Sequence, residues 1–479
     1  MLRSCSAGCS FQPISRQPNS KEMMFLKRFQ LGLIHVAVAM TLVPINSTLN
    51  RVMIKELAIS ATLVAILASL PYLLAPIQVA IGSYSDRHPI LGFRRTPYIL
   101  AGLILCVIGV IISPQVAFLM AENFPFGLLV GVLAFGAWGM GYNFSAVSYL
   151  SLASELSGEN GRGKTIATMW FMMIVSIIVT SIGVGYMVDP YTPDAMIRAF
   201  GIVSAVALFL GLIGLIKLEL RSTHLMPPIF AAGDMGNQGN ELRKWVEERG
   251  AASENYTVKQ TVSAITANPV ARIFFIYLFL LLVAILGQDV LLEPYGAQAF
   301  GLSVTQTTRL TAIWGGFFLL ALIIAGLLEG RVAKRTVAQF GNIVAMLSFI
   351  VIVVSGILVN KPVFYTGVIL LGIGAGLSTV ANLSLMFDLT VPGMVGLYIG
   401  ALGFANALSR LTGYILGGVV RDVVTLTTGQ LLTGYLVVFS IEAIMLLIAT
   451  VMLYRIDVNA FQTRVKEPSF VEKVALASE

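Results

Sequence analysis

About twelve apolar runs of membrane length, six on each side of one long polar segment, constrain this chain more than any other feature. The first set covers residues 31–49, 61–84, 96–114, 126–150, 166–187 and 199–218; the second covers 273–292, 310–328, 337–358, 363–387, 395–420 and 432–453. A helix needs about 20 apolar residues to cross hydrocarbon, where every backbone group must be bonded within its own segment. Spanning strands would instead be short and alternating, so these long continuous runs are helices. The fold class is therefore all-α, a membrane protein of about twelve transmembrane helices in two six-helix halves. Composition agrees: 57% of the residues are hydrophobic and 11% charged, where soluble globular proteins carry about 25% charged residues.

The expected organisation is an N-terminal tail over 1–28, a first half over 29–218, a linker over 219–269, a second half over 270–455 and a tail over 456–479. Transporters built from two halves around a central site have this arrangement. The 31 Lys and Arg against 24 Asp and Glu give a formal charge of +7. Most of the cations fall in the tails, the linker and the loops on the termini side, which predicts cytoplasmic termini. Residues 1–22 are polar, contain Pro13 and Pro18, and lack the apolar core of a cleaved signal peptide. Cys5, Cys9 and Cys106 are too few for a disulfide framework and read as reduced thiols. The pairs Gly127/Gly131, Gly396/Gly400 and Gly413/Gly417, each four apart, permit close helix approach.

Between the second and third runs stands Gly82-Ser83-Tyr84-Ser85-Asp86-Arg87, followed by Gly92-Phe93-Arg94-Arg95. A glycine at a helix end admits a neighbouring helix, an Asp suits that helix's positive N-terminus, and arginines bind carboxylates or anionic headgroups. The pattern resembles the signature loop of the major facilitator superfamily. That resemblance implies that Gly82 and Asp86 face the Val395 region and stabilise one access state. Gly92 follows Asp86 by six residues rather than the usual three, a longer version similar to that of cation-coupled sugar symporters and pigment-delivery proteins. Glu155, followed by Arg162 and Lys164, is expected to complete an ion-pair latch with the loop; the plainer reading of Arg87, Arg94 and Arg95 is that they only enforce topology.

Asp289 and Glu293, four apart at the end of the seventh run, are expected to share a helix face, with Arg309 as candidate partner. Two carboxylates at a span end are costly unless paired, protonated or facing water, so they are either a structural gate or proton-coupling groups. The run Gln288-Asp289-Val290-Leu291-Leu292-Glu293-Pro294-Tyr295-Gly296, with Leu49-Asn50-Arg51-Val52-Met53, the long loop motif and Glu155 with Arg162, resembles the PucC-like bacteriochlorophyll and chlorophyll delivery family of that superfamily. The resemblance spans 25–454. It implies handling of a tetrapyrrole or of its protein partner during assembly of light-harvesting or photosystem complexes; the details are more similar to cyanobacterial members, implying chlorophyll a as bound cargo and a thylakoid membrane.

Chlorophyll magnesium takes a hard axial ligand such as imidazole nitrogen or amide oxygen. His35 is the histidine inside an apolar run; Gln78, Asn143, Asn382 and Asn406 are amides so placed, and Arg410 is a cation within a span that must find a partner. A lone buried histidine is more often a packing residue, and Arg410 reads equally as an ion pair between helices. The sequence has no nucleotide-binding glycine loop, metal-ligand cluster or nucleophile–base pair, so neither an enzyme nor a resident metal is expected. The expected partners are the lipid bilayer, chlorophyll or a related tetrapyrrole, and nascent pigment-binding membrane proteins, with no nucleic acid. The alternatives are a proton- or sodium-coupled secondary transporter of a polar small molecule, and a docking platform without a central cavity.

Overall fold

The computed structural model describes residues 20–78, 81, 84–85, 88–219, 269–388 and 395–456. Gly82, Asp86 and Arg87, the linker from 220 to 268, most of the N-terminal tail and the C-terminal tail from 457 lie outside the described residues. The chain is helical, as a backbone in hydrocarbon must be. In order it forms α1 (Ser20–Met40), α2 (Asn50–Lys55), α3 (Ala61–Leu73), α4 (Thr96–Glu122), α5 (Phe124–Met187), α6 (Pro193–Leu215), α7 (Pro269–Gly287), α8 (Leu292–Phe300), α9 (Val304–Leu328), α10 (Lys334–Ile357), α11 (Lys361–Asp388), α12 (Val395–Thr428) and α13 (Leu431–Leu453). Among the described residues ten helices are long and apolar enough to cross a membrane.

Three elements depart from the expected runs. The second run is broken rather than continuous: α3 stops at Leu73, residues 74–76 form a turn, and residues 77–78, 81 and 84–85 are helical again. Pro76 has no N–H to return to the Tyr72 carbonyl, and the Pro71 carbonyl is bonded instead by the Asn143 amide at 2.9 Å. The fourth and fifth runs lie within one continuous helix, α5. The eleventh run continues past residue 420 to Thr428, which brings Arg421 and Asp422 into α12.

Two further irregularities matter for the site. Pro44, which also lacks a donor, opens a π-helical stretch over Pro44–Leu49 between α1 and α2. Gln288–Val290 forms a 3-10 turn between α7 and α8, and these two irregular segments pack against one another across the halves.

The first-half core is filled by Leu31, Ile34, Leu103, Tyr149 and Met169 from α1, α4 and α5. α4 packs on α5 and α10 on α11, the same pairing in each half. Both pairs approach backbone to backbone at glycine: a Cβ on Gly141 would lie 2.5 Å from the Gly102 carbonyl, and one on Gly374 would lie 2.8 Å from the Gly341 carbonyl. The halves meet where α3 packs on α12 and α5 packs on α9.

Candidate functional site

Arg410 on α12 finds its partner in Asp289. The Arg410 Nη1 donates to Asp289 Oδ2 at 2.9 Å and the Tyr414 hydroxyl donates to the same oxygen at 3.3 Å. Gln288 Nε2 donates to Oδ1 at 2.8 Å, so both carboxylate oxygens are engaged. The first half contributes Tyr72, whose ring centroid lies 5.5 Å from the Arg410 guanidinium carbon and 5.7 Å from the Tyr414 ring, edge to face. The pair is about three-quarters buried on each side, with side-chain exposures of 25% and 26%. A second carboxyl, Glu442 on α13, sits against the end of α7: it is 5% exposed, and its Oε2 is buried without a hydrogen-bond partner among the described residues. A Cβ on Gly287 would stand 3.2 Å from its Oε1. Sequence reasoning missed Glu442, although an acidic residue inside the apolar run over 432–453 carries the same signal as Arg410.

Glu293 does not share a face or a partner with Asp289. The 3-10 turn and the start of a new helix at Leu292 interrupt the four-residue spacing, and Glu293 turns towards the first half. Its Oε1 accepts from Ser47 Oγ at 2.6 Å and Thr311 Oγ1 at 2.7 Å. Arg309 is the partner of neither carboxylate: its guanidinium lies over the Tyr186 ring at 4.6 Å, a contact between α9 and α5. Arg51 bonds Glu56 at 2.6 Å and the Leu302 carbonyl at 3.4 Å. Tyr191, in the loop before α6, has its phenol pushed up by burial and by the nearby Glu56, with Arg51 opposing.

These contacts belong to a seam at the end of the molecule away from the chain termini. Thr48 bonds Thr308 at 3.2 Å, and Thr305 Oγ1 donates to the Gly185 carbonyl at 2.9 Å. Asp422 of α12 caps α3 across the halves, accepting from the Thr62 N–H at 2.8 Å, the Thr62 hydroxyl at 2.7 Å and the Ala61 N–H at 3.3 Å. Arg421 bonds Asp422 at 2.6 Å and lies over the Tyr435 ring at 5.0 Å.

At the opposite end, the loop before α4 is organised by two glutamates. Glu155 binds Arg95 Nε at 3.2 Å, Arg95 Nη2 at 3.1 Å and Arg94 Nη2 at 3.4 Å. Arg95 also donates to Ser85 Oγ at 2.7 Å and is 5% exposed, so more than topology holds it. Gly92 takes φ of 81°, a conformation that glycine adopts without strain. Glu219, assigned by sequence to the linker, accepts from the Arg94, Arg95 and Thr96 N–H groups at 2.8, 3.0 and 2.7 Å and caps α4. The side chain of Arg162 lies outside the described residues.

The candidate pigment ligands separate into two groups. Gln78 donates to Asn143, which in turn holds the Pro71 and Gly139 carbonyls, so both amides are committed to protein. Asn382 accepts from the Tyr277 hydroxyl at 2.7 Å and donates to the Ser378 carbonyl at 2.8 Å. Asn342, which sequence did not single out, bonds both Tyr277 and Ser378, closing a buried ring of hydrogen bonds. Asn406 is half-buried and makes no side-chain hydrogen bond among the described residues. His35 is 7% exposed with Nδ1 buried and without a hydrogen-bond partner among the described residues; its ring lies 5.0 Å from that of Tyr149 and 6.4 Å from that of Trp170.

The family model described as PUCC protein matches residues 48–461. Protein PucC of Cereibacter sphaeroides is 30% identical over 439 residues, covering 88% of this chain and 90% of that protein. A Rhodobacter capsulatus protein named bacteriochlorophyll synthase 44.5 kDa chain is 27% identical over 436 residues, covering 89% and 94%. Among solved structures, a bacterial homologue of the human lysosomal transporter Spinster, described as inward-facing and unoccupied, superposes with a TM-score of 0.69 at 13% identity, covering 94% of this chain and all of that one. That likeness gives the major facilitator fold.

Proposed function

The chain belongs to the PucC protein family, and on that footing we propose that it is a membrane-embedded assembly factor for light-harvesting or photosystem pigment-proteins. It binds or moves a chlorophyll-type tetrapyrrole within a facilitator fold, and nascent pigment-binding membrane proteins are its partners. The family match over 48–461 carries this reading, supported by the relative whose name contains bacteriochlorophyll. The cargo is a substrate rather than a resident cofactor, with chlorophyll a the proposed form. Both termini are proposed to be cytoplasmic, in the thylakoid or plasma membrane of a photosynthetic bacterium.

Of the candidate ligands, His35 fits the pigment magnesium best. Its Nδ1 has no partner among the described residues and the flanking rings of Tyr149 and Trp170 offer faces on which a macrocycle can stack. Because that nitrogen is buried, pigment reaches it only when neighbouring side chains move. Gln78, Asn143 and Asn382 already have protein partners and are weaker candidates. A strain lacking the chain is expected to synthesise its tetrapyrrole yet accumulate less pigment-protein; normal pigment-protein content overturns the proposal.

A second reading is a proton- or sodium-coupled transporter of a polar solute. The intramembrane group of Asp289, Arg410 and Glu442 favours it, since ionisable side chains inside spans line substrate and ion paths in many transporters. Gradient-driven uptake that is lost in Asp289→Asn is its test.

A further inference from the structure

The π-helical stretch Pro44–Leu49 of the first half and the 3-10 turn Gln288–Val290 of the second are two breaks in regular helix that face one another. Irregular backbone at membrane depth is tolerated only where it is buried in protein or lines a polar cavity, and broken helices are where transporters bind ions. Around these breaks four side-chain oxygens are buried with no hydrogen-bond partner among the described residues: Asn46 Oδ1, Asn50 Oδ1, Gln288 Oε1 and Glu293 Oε2. Leaving a buried oxygen without a partner is costly, so each of the four calls for an occupant. Three of the four side chains are fixed in place by their other atoms. Asn50 Nδ2 donates to the Asn46 carbonyl at 3.1 Å, Gln288 Nε2 to Asp289 at 2.8 Å, and Glu293 Oε1 is held by Ser47 and Thr311.

We infer that these oxygens form a site for one small, hard monovalent cation, Na+, at the seam between the halves. All four unused atoms are oxygens, the ligand type that hard cations take. Three are neutral amides and one is a carboxylate, so the set carries a single negative charge, matching a monovalent rather than a divalent ion. Glu293 has no ion pair among the described residues, while Arg51 is neutralised by Glu56 at 2.6 Å. Because the ligands come from both halves, an ion there holds this end of the seam together.

The test is binding of radioactive 22Na+ to the purified full-length chain at constant ionic strength, with choline replacing Na+ and no pigment added, so that its result is independent of the proposed cargo. Saturable binding near one ion per chain is expected, with choline failing to compete. Glu293→Gln is expected to abolish it, and Asn50→Ala to weaken it by about 10- to 100-fold, the range for losing a group that supports a metal site. Absence of saturable binding to monodisperse wild-type chain overturns the inference, as water or a proton then fills the gap. Binding of wild-type strength in both variants overturns it equally. If Glu293→Gln does not yield monodisperse protein, the wild-type isotherm and Asn50→Ala still decide.

Discussion

Asp289 and Arg410, 121 residues apart in the chain, meet at 2.9 Å with the Tyr414 hydroxyl 3.3 Å from the same carboxylate oxygen. Removing one partner strands the other inside the membrane. Breaking a fully buried pair costs about 3–5 kcal/mol, and the one-quarter exposure here lowers that to about 2 kcal/mol. Arg410→Ala is therefore expected to lower the midpoint of thermal unfolding in detergent by several degrees. The double variant Asp289→Asn, Arg410→Gln should recover most of the loss, and a double variant as unstable as the single would count against the pair as the cause.

Asp422 ties α12 to the first turn of α3 across the two halves. Loss of a helix N-cap costs about 1 kcal/mol, and here the same loss opens the seam. Asp422→Ala should speed amide hydrogen exchange at Ala61 and Thr62 while leaving α4 unchanged. Equal protection in variant and wild type would show that the cap contributes nothing.

At the other end, Glu155 receives two donors from the Arg95 fork, a geometry that a lysine ammonium cannot reproduce. Arg95→Lys is expected to loosen the loop before α4 although the charge is kept, read as faster proteolysis within 88–95. Glu219→Gln should raise exchange at Arg94 to Thr96 by weakening the charged cap, with an effect of about 1 kcal/mol.

The helical membrane fold was legible because hydropathy is a property of contiguous residues, and ten of the expected runs appear as long apolar helices among the described residues. The pairing of charges was less legible. Arg410 announced itself as a charge in an apolar run, but its partner lies 121 residues away, so local spacing pointed Asp289 towards Arg309 and paired it with Glu293. The four-residue rule assumes unbroken α-helix, and the 3-10 turn at Gln288–Val290 removes that premise. Glu219 looked like linker because composition alone does not reveal that its carboxylate meets three N–H groups 123 to 125 residues earlier.

Gly287 and Gly413 let α7 and α12 touch backbone to backbone beside the charged pair: a Cβ on Gly413 would lie 2.7 Å from the Gly287 Cα and 2.8 Å from the Val283 carbonyl. Neither neighbour is a flexible side chain that can move aside. Gly413→Val is expected to reduce the yield of monodisperse protein sharply, whereas Gly403→Ala, with nothing within 4 Å of the added carbon, should be tolerated. Equal yields would mean that the helices separate at little cost.

The most direct measurement is the absorption spectrum of the chain purified in mild detergent from its native membrane, taken on the monodisperse peak beside a peptide inventory. The assembly-factor account expects tetrapyrrole in near-stoichiometric amount, pigment-binding subunits in the same peak, and loss of the pigment in His35→Leu. A colourless peak containing this chain alone would contradict it.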